Sequence, residues 1–76
     1  MNHARRKHLI EIADHLSAIQ TRMVELHDEE QEAFDNLPEG LQQTTKGEKI
    51  EDAVSALESS LDALDDALEY IRNAVL

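Results

Sequence analysis

The chain predicts an all-α fold: an antiparallel two-helix hairpin that dimerises into a four-helix bundle. Three observations carry this expectation. Leu9, Ile12, Leu16, Ile19, Met23, Leu26, Ala33 and Leu37 fall on the a and d positions of one heptad series, broken only by Glu30. Ile50, Val54, Leu57, Leu61, Leu64, Leu68, Ile71 and Val75 form a second, unbroken series. A single proline and a short polar stretch separate the two. Spacings of three and four residues put each series on one stripe of a helix, and such a stripe must be covered.

The first helix is expected over residues 4–36. It stops where Leu37 precedes Pro38, because the residue before proline is pushed out of the helical region. The loop is expected over 37–45, with Leu41 as its one clearly apolar residue and a candidate plug for the bundle end. The second helix is expected over 46–75. Its start reads Thr45-Lys46-Gly47-Glu48, the pattern of a capping box in which Thr45 and Glu48 satisfy each other's amides. A loop this short makes the two helices antiparallel neighbours.

The apolar arcs are wider than one partner needs. On the second helix, Ala53, Ser60, Ala67 and Ala74 extend the stripe on one flank, and Ala56, Ala63 and Tyr70 extend it further. On the first, Ile10, Ala13, Val24 and Phe34 widen it. A facing helix covers a narrow seam, so the surplus predicts a second contact, met most simply by pairing two hairpins. Ala53, Ser60, Ala67 and Ala74 are the expected oligomer interface. The same small residues also raise helix propensity on a half-exposed flank.

Seventy-six residues make one domain with a small core. With no cysteine, no disulfide or thiolate metal site supplements that core. The basic opening (Arg5, Arg6, Lys7) runs into an amphipathic pattern, not the apolar stretch of a signal peptide, and no segment is apolar enough to cross a bilayer.

The formal net charge is −10, unevenly placed. Beyond residue 24 the only basic residues are Lys46, Lys49 and Arg72. This balance argues against direct binding to nucleic acid and fits a protein partner with a basic surface, or solubility alone. The second helix obeys the helix dipole, with Glu48, Glu51 and Asp52 early and Arg72 late. The first violates it at both ends. The basic end is expected to pair with Asp65, Asp66 and Glu69 of the neighbouring helix. The acidic end meets Glu48, Glu51 and Asp52, relieved only by Lys46 and Lys49, so Asp28, Glu29, Glu32, Phe34, Asp35 and Pro38 form the candidate partner-binding surface.

Catalysis finds little support. His3, His8, His15 and His27 offer the pairs Glu11/His15 and His27/Glu30. The Glu-x-x-His order of carboxylate-bridged metal bundles is absent, and the second helix has no histidine. No metal site and no cofactor are expected. Glu30, at a core position, is expected to reach solvent near the loop, to bond His27 or Gln31, or to fix the register. The acidic pairs Glu29/Glu32 and Asp62/Asp65 resemble the paired motifs of helical nucleotide pyrophosphatases, but two helices are too few to build that site. There is no glycine-rich phosphate loop, no triad-like serine and no base-stacking platform. The chain reads as a non-enzyme.

The segments Asp28–Gln42 and Lys46–Val54 join an acidic helix end, an Asn-Leu-Pro-Glu turn and a Gly-Glu opening of an Ala/Leu/Glu-rich helix. Over roughly residues 25–70 this resembles small helical-hairpin proteins of phages and prophages; the basic opening lies outside the pattern. The resemblance implies an accessory protein of a virus or mobile element, in the cytoplasm of a bacterial host, and brings no catalytic residues. Two functions follow as expectations. One is a dimeric, acidic protein-binding module, in its sharper form an inhibitor that fills the nucleic-acid groove of a host defence enzyme. The other is a structural component of a larger helical assembly.

Overall fold

The structure, a computed structural model, describes all residues 1–76. Helix α1 spans His3–Asp35, a short helix α2 spans Glu39–Gln42, and helix α3 spans Thr45–Ala74; there are no strands. The two long helices pack antiparallel into a rod of 58 × 15 × 13 Å. Its radius of gyration is 17.2 Å, against about 11 Å for a compact domain of this length.

Local chemistry sets the ends. Asn2 caps α1, its side-chain oxygen accepting from the Arg5 amide at 2.8 Å, so the helix starts one residue before the expected position. At the other end, the Gln42 side-chain amide donates to the carbonyls of Phe34 and Leu37, each at 3.2 Å. The Phe34 carbonyl, in the last turn of α1, also accepts from the Leu37 amide at 3.0 Å, and the Leu37 carbonyl lies just past the helix end. The expected plain loop therefore contains a helical turn that folds back to cap α1. Leu41 does not plug the bundle; it is exposed.

The expected capping box does not form. Thr44, not Thr45, is the N-cap of α3, and its hydroxyl donates backward to the Leu41 carbonyl. The third helical residue is then Gly47, which has no side chain to reach back. Gly47 has a different role. It is buried, and a β-carbon there would run into the backbone of Gln42. The glycine lets the first turn of α3 close onto α2.

The helices meet along one stripe on each. On α3 it is the predicted one, with Gly47 added at its start; Val54 and Leu68 are its buried members. On α1 it is not. Its stripe, at least partly withdrawn from solvent, is Arg6, Leu9, Ala13, Leu16, Gln20, Met23, His27, Glu30, Phe34 and Leu37, with Ser17 and Gln31 half-buried beside it. Leu9, Leu16, Met23 and Leu37 keep their places, but Ile12, Ile19, Leu26 and Ala33 leave the seam. In heptad terms α1 is rolled by about 50° from the expected register. The physical reason lies in the polar members of the new stripe, three of which find partners on α3.

The hairpin's core is thin. Among hydrophobic residues only Ala13, Val54 and Leu68 are buried, and no side chain is wholly enclosed.

Candidate protein interaction surfaces

The roll of α1 gives the hairpin two unlike edges. On one edge side chains bridge the helices. The Gln20 amide donates to the Asp65 carboxylate. The His27 ring lies between Asp28 at 3.0 Å and Glu58 at 3.1 Å. The Arg72 guanidinium donates to the Ser17 hydroxyl at 3.4 Å. Glu58, Asp65 and Arg72 recur every seven residues, so one row of α3 lines this edge.

The opposite edge of α1 carries Ile12, Ile19 and Leu26, exposed by 46%, 50% and 42%. The row of α3 on the far side of its stripe from Glu58 and Asp65 is Ala53, Ser60, Ala67 and Ala74, so the expected interface residues line this same edge. Ala53 and Ala67 are half-buried; Ser60 and Ala74 are exposed. Ile12, Ile19 and Leu26 are the surface residues that sequence reasoning missed, because the simplest heptad reading placed them inside. The signal was present in the width of the arc, since Ala13 and Phe34 offered the alternative stripe.

The free end of the rod differs from expectation. Arg6 donates through Nε to the Val75 carbonyl at 3.1 Å. This places a cation at the C-terminus of α3, where the helix dipole favours it. None of Arg5, Arg6 and Lys7 forms an ion pair with Asp65, Asp66 or Glu69. The Gln20–Asp65 bond shows why: residue 65 is level with residue 20, more than a dozen residues along α1 from the basic cluster. His3, Arg6, Lys7, Ile10 and Glu11 surround an open depression of about 330 Å³ there. With one apolar lining residue it lacks the make-up of a small-molecule cavity.

At the loop end, Asp28, Glu29, Glu32 and Asp35 are exposed, as is Pro38, which caps α2. Phe34 is separated from them, half-buried in the seam between helices. Asp35 accepts from the Gln31 amide at 3.0 Å, and Asp28 is held by His27. Glu29 and Glu32 form no ion pair. Their carboxylates, with Asp28 and Asp35, leave an exposed acidic surface that forms no ion pair with lysine or arginine.

His27 is the one histidine drawn into the structure. Hydrogen bonds to the carboxylates of Asp28 first and Glu58 second raise its pKa above 6.5, against a weaker opposing effect of desolvation. Its side chain is 18% exposed. The expected Glu11/His15 and His27/Glu30 pairs do not form; His8 lies 3.8 Å from Glu11 instead. Glu30 reaches solvent: it has no bonding partner, and no side-chain oxygen is buried without one. No three His, Asp or Glu side chains are grouped as metal ligands. No helix is long and apolar enough to cross a membrane.

Comparison with protein-family models, with curated proteins and with solved structures found no match for this chain.

Proposed function

We propose that this chain is a non-enzymatic, acidic protein–protein interaction module that works as a homodimer, two hairpins forming a four-helix bundle. The observation that carries this is the division of its surface. Carboxylates at the loop end of α1 are exposed and form no ion pair with lysine or arginine, while an apolar row lies open along a different edge. One surface is suited to a basic protein partner, the other to association of the hairpins. Asp28, Glu29, Glu32 and Asp35, with Pro38 beside them and Phe34 behind, form the contact for the partner. The partner is a protein whose basic groove otherwise binds nucleic acid, such as a host defence enzyme. The chain itself does not bind nucleic acid or enter a membrane. The Asn-Leu-Pro-Glu turn and its resemblance to phage hairpins support the place of this activity: an accessory protein of a phage or mobile element, in the bacterial cytoplasm.

The test is capture of a partner from host lysate by the intact chain, at about 50 mM and about 500 mM salt, a range that separates screened from unscreened surface charge. The reading expects a partner released at high salt, displaced by added DNA, and lost with the combined variant D28N, E29Q, E32Q, D35N. A partner held equally by both proteins at both salts overturns it.

A second reading, a component of a larger helical assembly, is favoured by the exposed apolar row itself. Sedimentation equilibrium separates the two: a closed dimer supports the module, and open-ended growth with concentration supports assembly.

A further inference from the structure

Resting on the homodimer reading, we infer that the occupant of the apolar edge is a second copy of this chain, with α1 packed antiparallel against α1 of the partner about a two-fold axis at Ile19. The row Ile12, Ile19, Leu26 is centred on Ile19 and repeats every seven residues. A perpendicular two-fold there lays Ile19 on its symmetry mate and Ile12 on the mate's Leu26. The three residues span about 21 Å of helix.

Charge selects the second copy and its direction. The chain is acidic, yet four of its seven lysines and arginines, Arg5, Arg22, Lys46 and Lys49, lie at this edge. Arg5, His8, His15, Arg22 and Glu29 border the row on α1, and in the next column out Glu25 pairs with Arg22 at 2.8 Å and Glu11 lies 3.8 Å from His8. Lys46 and Lys49 border it on α3, whose acids all lie elsewhere on its circumference. Along α1 the first half is basic and the last third acidic. Antiparallel packing about Ile19 places Glu29 of one copy beside His8 of the other and brings Arg5 toward Glu29 and Glu32. This supplies the opposite charge that both ends of α1 lack within the hairpin, where Arg5 and Lys7 bond to no acid. Parallel packing sets the basic ends side by side and the acidic ends side by side.

The level of α3 agrees. The Gln20–Asp65 bond puts Ile19 level with residues 65–67. The small row Ala53, Ser60, Ala67 and Ala74 is centred between Ser60 and Ala67, so its midpoint lies within about one helical turn of the level of Ile19. The accessible area fits as well. The hairpin exposes 5575 Å², roughly 900 Å² more than the ~4,700 Å² typical of a folded monomer of this mass. A standard interface covers about 800 Å² per partner.

The chain has no cysteine, so single thiols report the arrangement directly. Full-length I12C and L26C are made separately, mixed, refolded together and oxidised, with I19C as a third sample. Antiparallel packing expects I19C to link to itself. It expects the I12C/L26C mixture to give at least about tenfold more linked dimer than either alone, because disulfides form only over a short Cα separation. Self-linking of I12C as efficient as that of I19C overturns the antiparallel direction. No linking in any sample, with a dimeric mass by sedimentation, overturns the assignment of this edge but leaves the homodimer standing. A monomeric mass for the unsubstituted chain at high concentration overturns both. Mild linking with a short bismaleimide repeats the measurement should oxidation distort the helices.

Discussion

The two edges of the hairpin are built from the same two helices and behave oppositely. One edge is closed within the chain by Gln20–Asp65, His27 with Glu58, and Arg72–Ser17. The other presents Ile12, Ile19 and Leu26 to solvent opposite a row of small residues. The contrast teaches that the polar residues, not the apolar ones, choose how α1 is turned. Aliphatic side chains are non-directional and are covered equally well by α3 or by another molecule. A buried or half-buried amide or imidazole needs a partner at a set distance. Turning α1 to satisfy Gln20 and His27 moves the isoleucines outward.

The largest test of this contrast is a charge in the middle of the apolar edge. I19D is expected to destabilise the assembled form by about 3 kcal/mol or more, since the axis brings two such carboxylates together in an apolar contact. Sedimentation should show a shift from dimer toward the 8.6 kDa monomer, and the melting temperature should lose its dependence on protein concentration. An unchanged mass breaks the comparison.

The next test moves the whole register. G47A forces a methyl into the Gln42 backbone and is expected to cost about 1–3 kcal/mol, outweighing the usual gain of alanine in a helix. G40A meets open space and is expected to be neutral or to stabilise by up to about 1 kcal/mol. Chemical denaturation of the pair reads the difference. Equal effects in both variants would show that the close approach of α3 to α2 does not set the hairpin.

A titration then sharpens the polar edge. The folded pKa of His27 is raised above 6.5, so its contribution to stability is complete below that value and is lost as pH rises through the folded pKa. The melting temperature should decline as pH rises above 6.5 and through the raised folded pKa, and H27Q should flatten that decline. A decline of equal size in H27Q assigns the pH dependence to other groups.

The smallest effect is the counterpart of the first. S17D places a carboxylate opposite Arg72 on the bridged edge, and is expected to change stability by no more than about 0.5 kcal/mol in either direction. The dimeric mass should persist. Loss of the dimer by S17D as complete as by I19D would erase the distinction between edges.

Much of the fold was legible before any coordinates. The unbroken stripe from Ile50 to Val75 stays in the seam, and Pro38 marks the break after α1. The acidic loop end was equally readable, because exposed carboxylates need no tertiary contact to be exposed. Three features were not. Asn2 caps α1 one residue ahead of the start that the heptad pattern indicates, because its side chain reaches the Arg5 amide. The turn of Glu39–Gln42 is tied to α1 because the Gln42 amide reaches the carbonyls of Phe34 and Leu37, a match between segments that no local pattern announces. The Thr45–Glu48 box failed because its neighbour Thr44 occupies the cap position.

The sequence by itself determined that two long amphipathic helices fold back on each other and bear more apolar surface than a single pair conceals, because heptad spacing and proline act locally and additively. The tertiary structure alone decided which face of α1 turns inward. That choice depends on hydrogen bonds between residues 20 and 65 and between 27 and 58, whose partners are brought level only once both helices have formed and closed. Their directionality, absent from the aliphatic pattern, is what leaves Ile12, Ile19 and Leu26 outside.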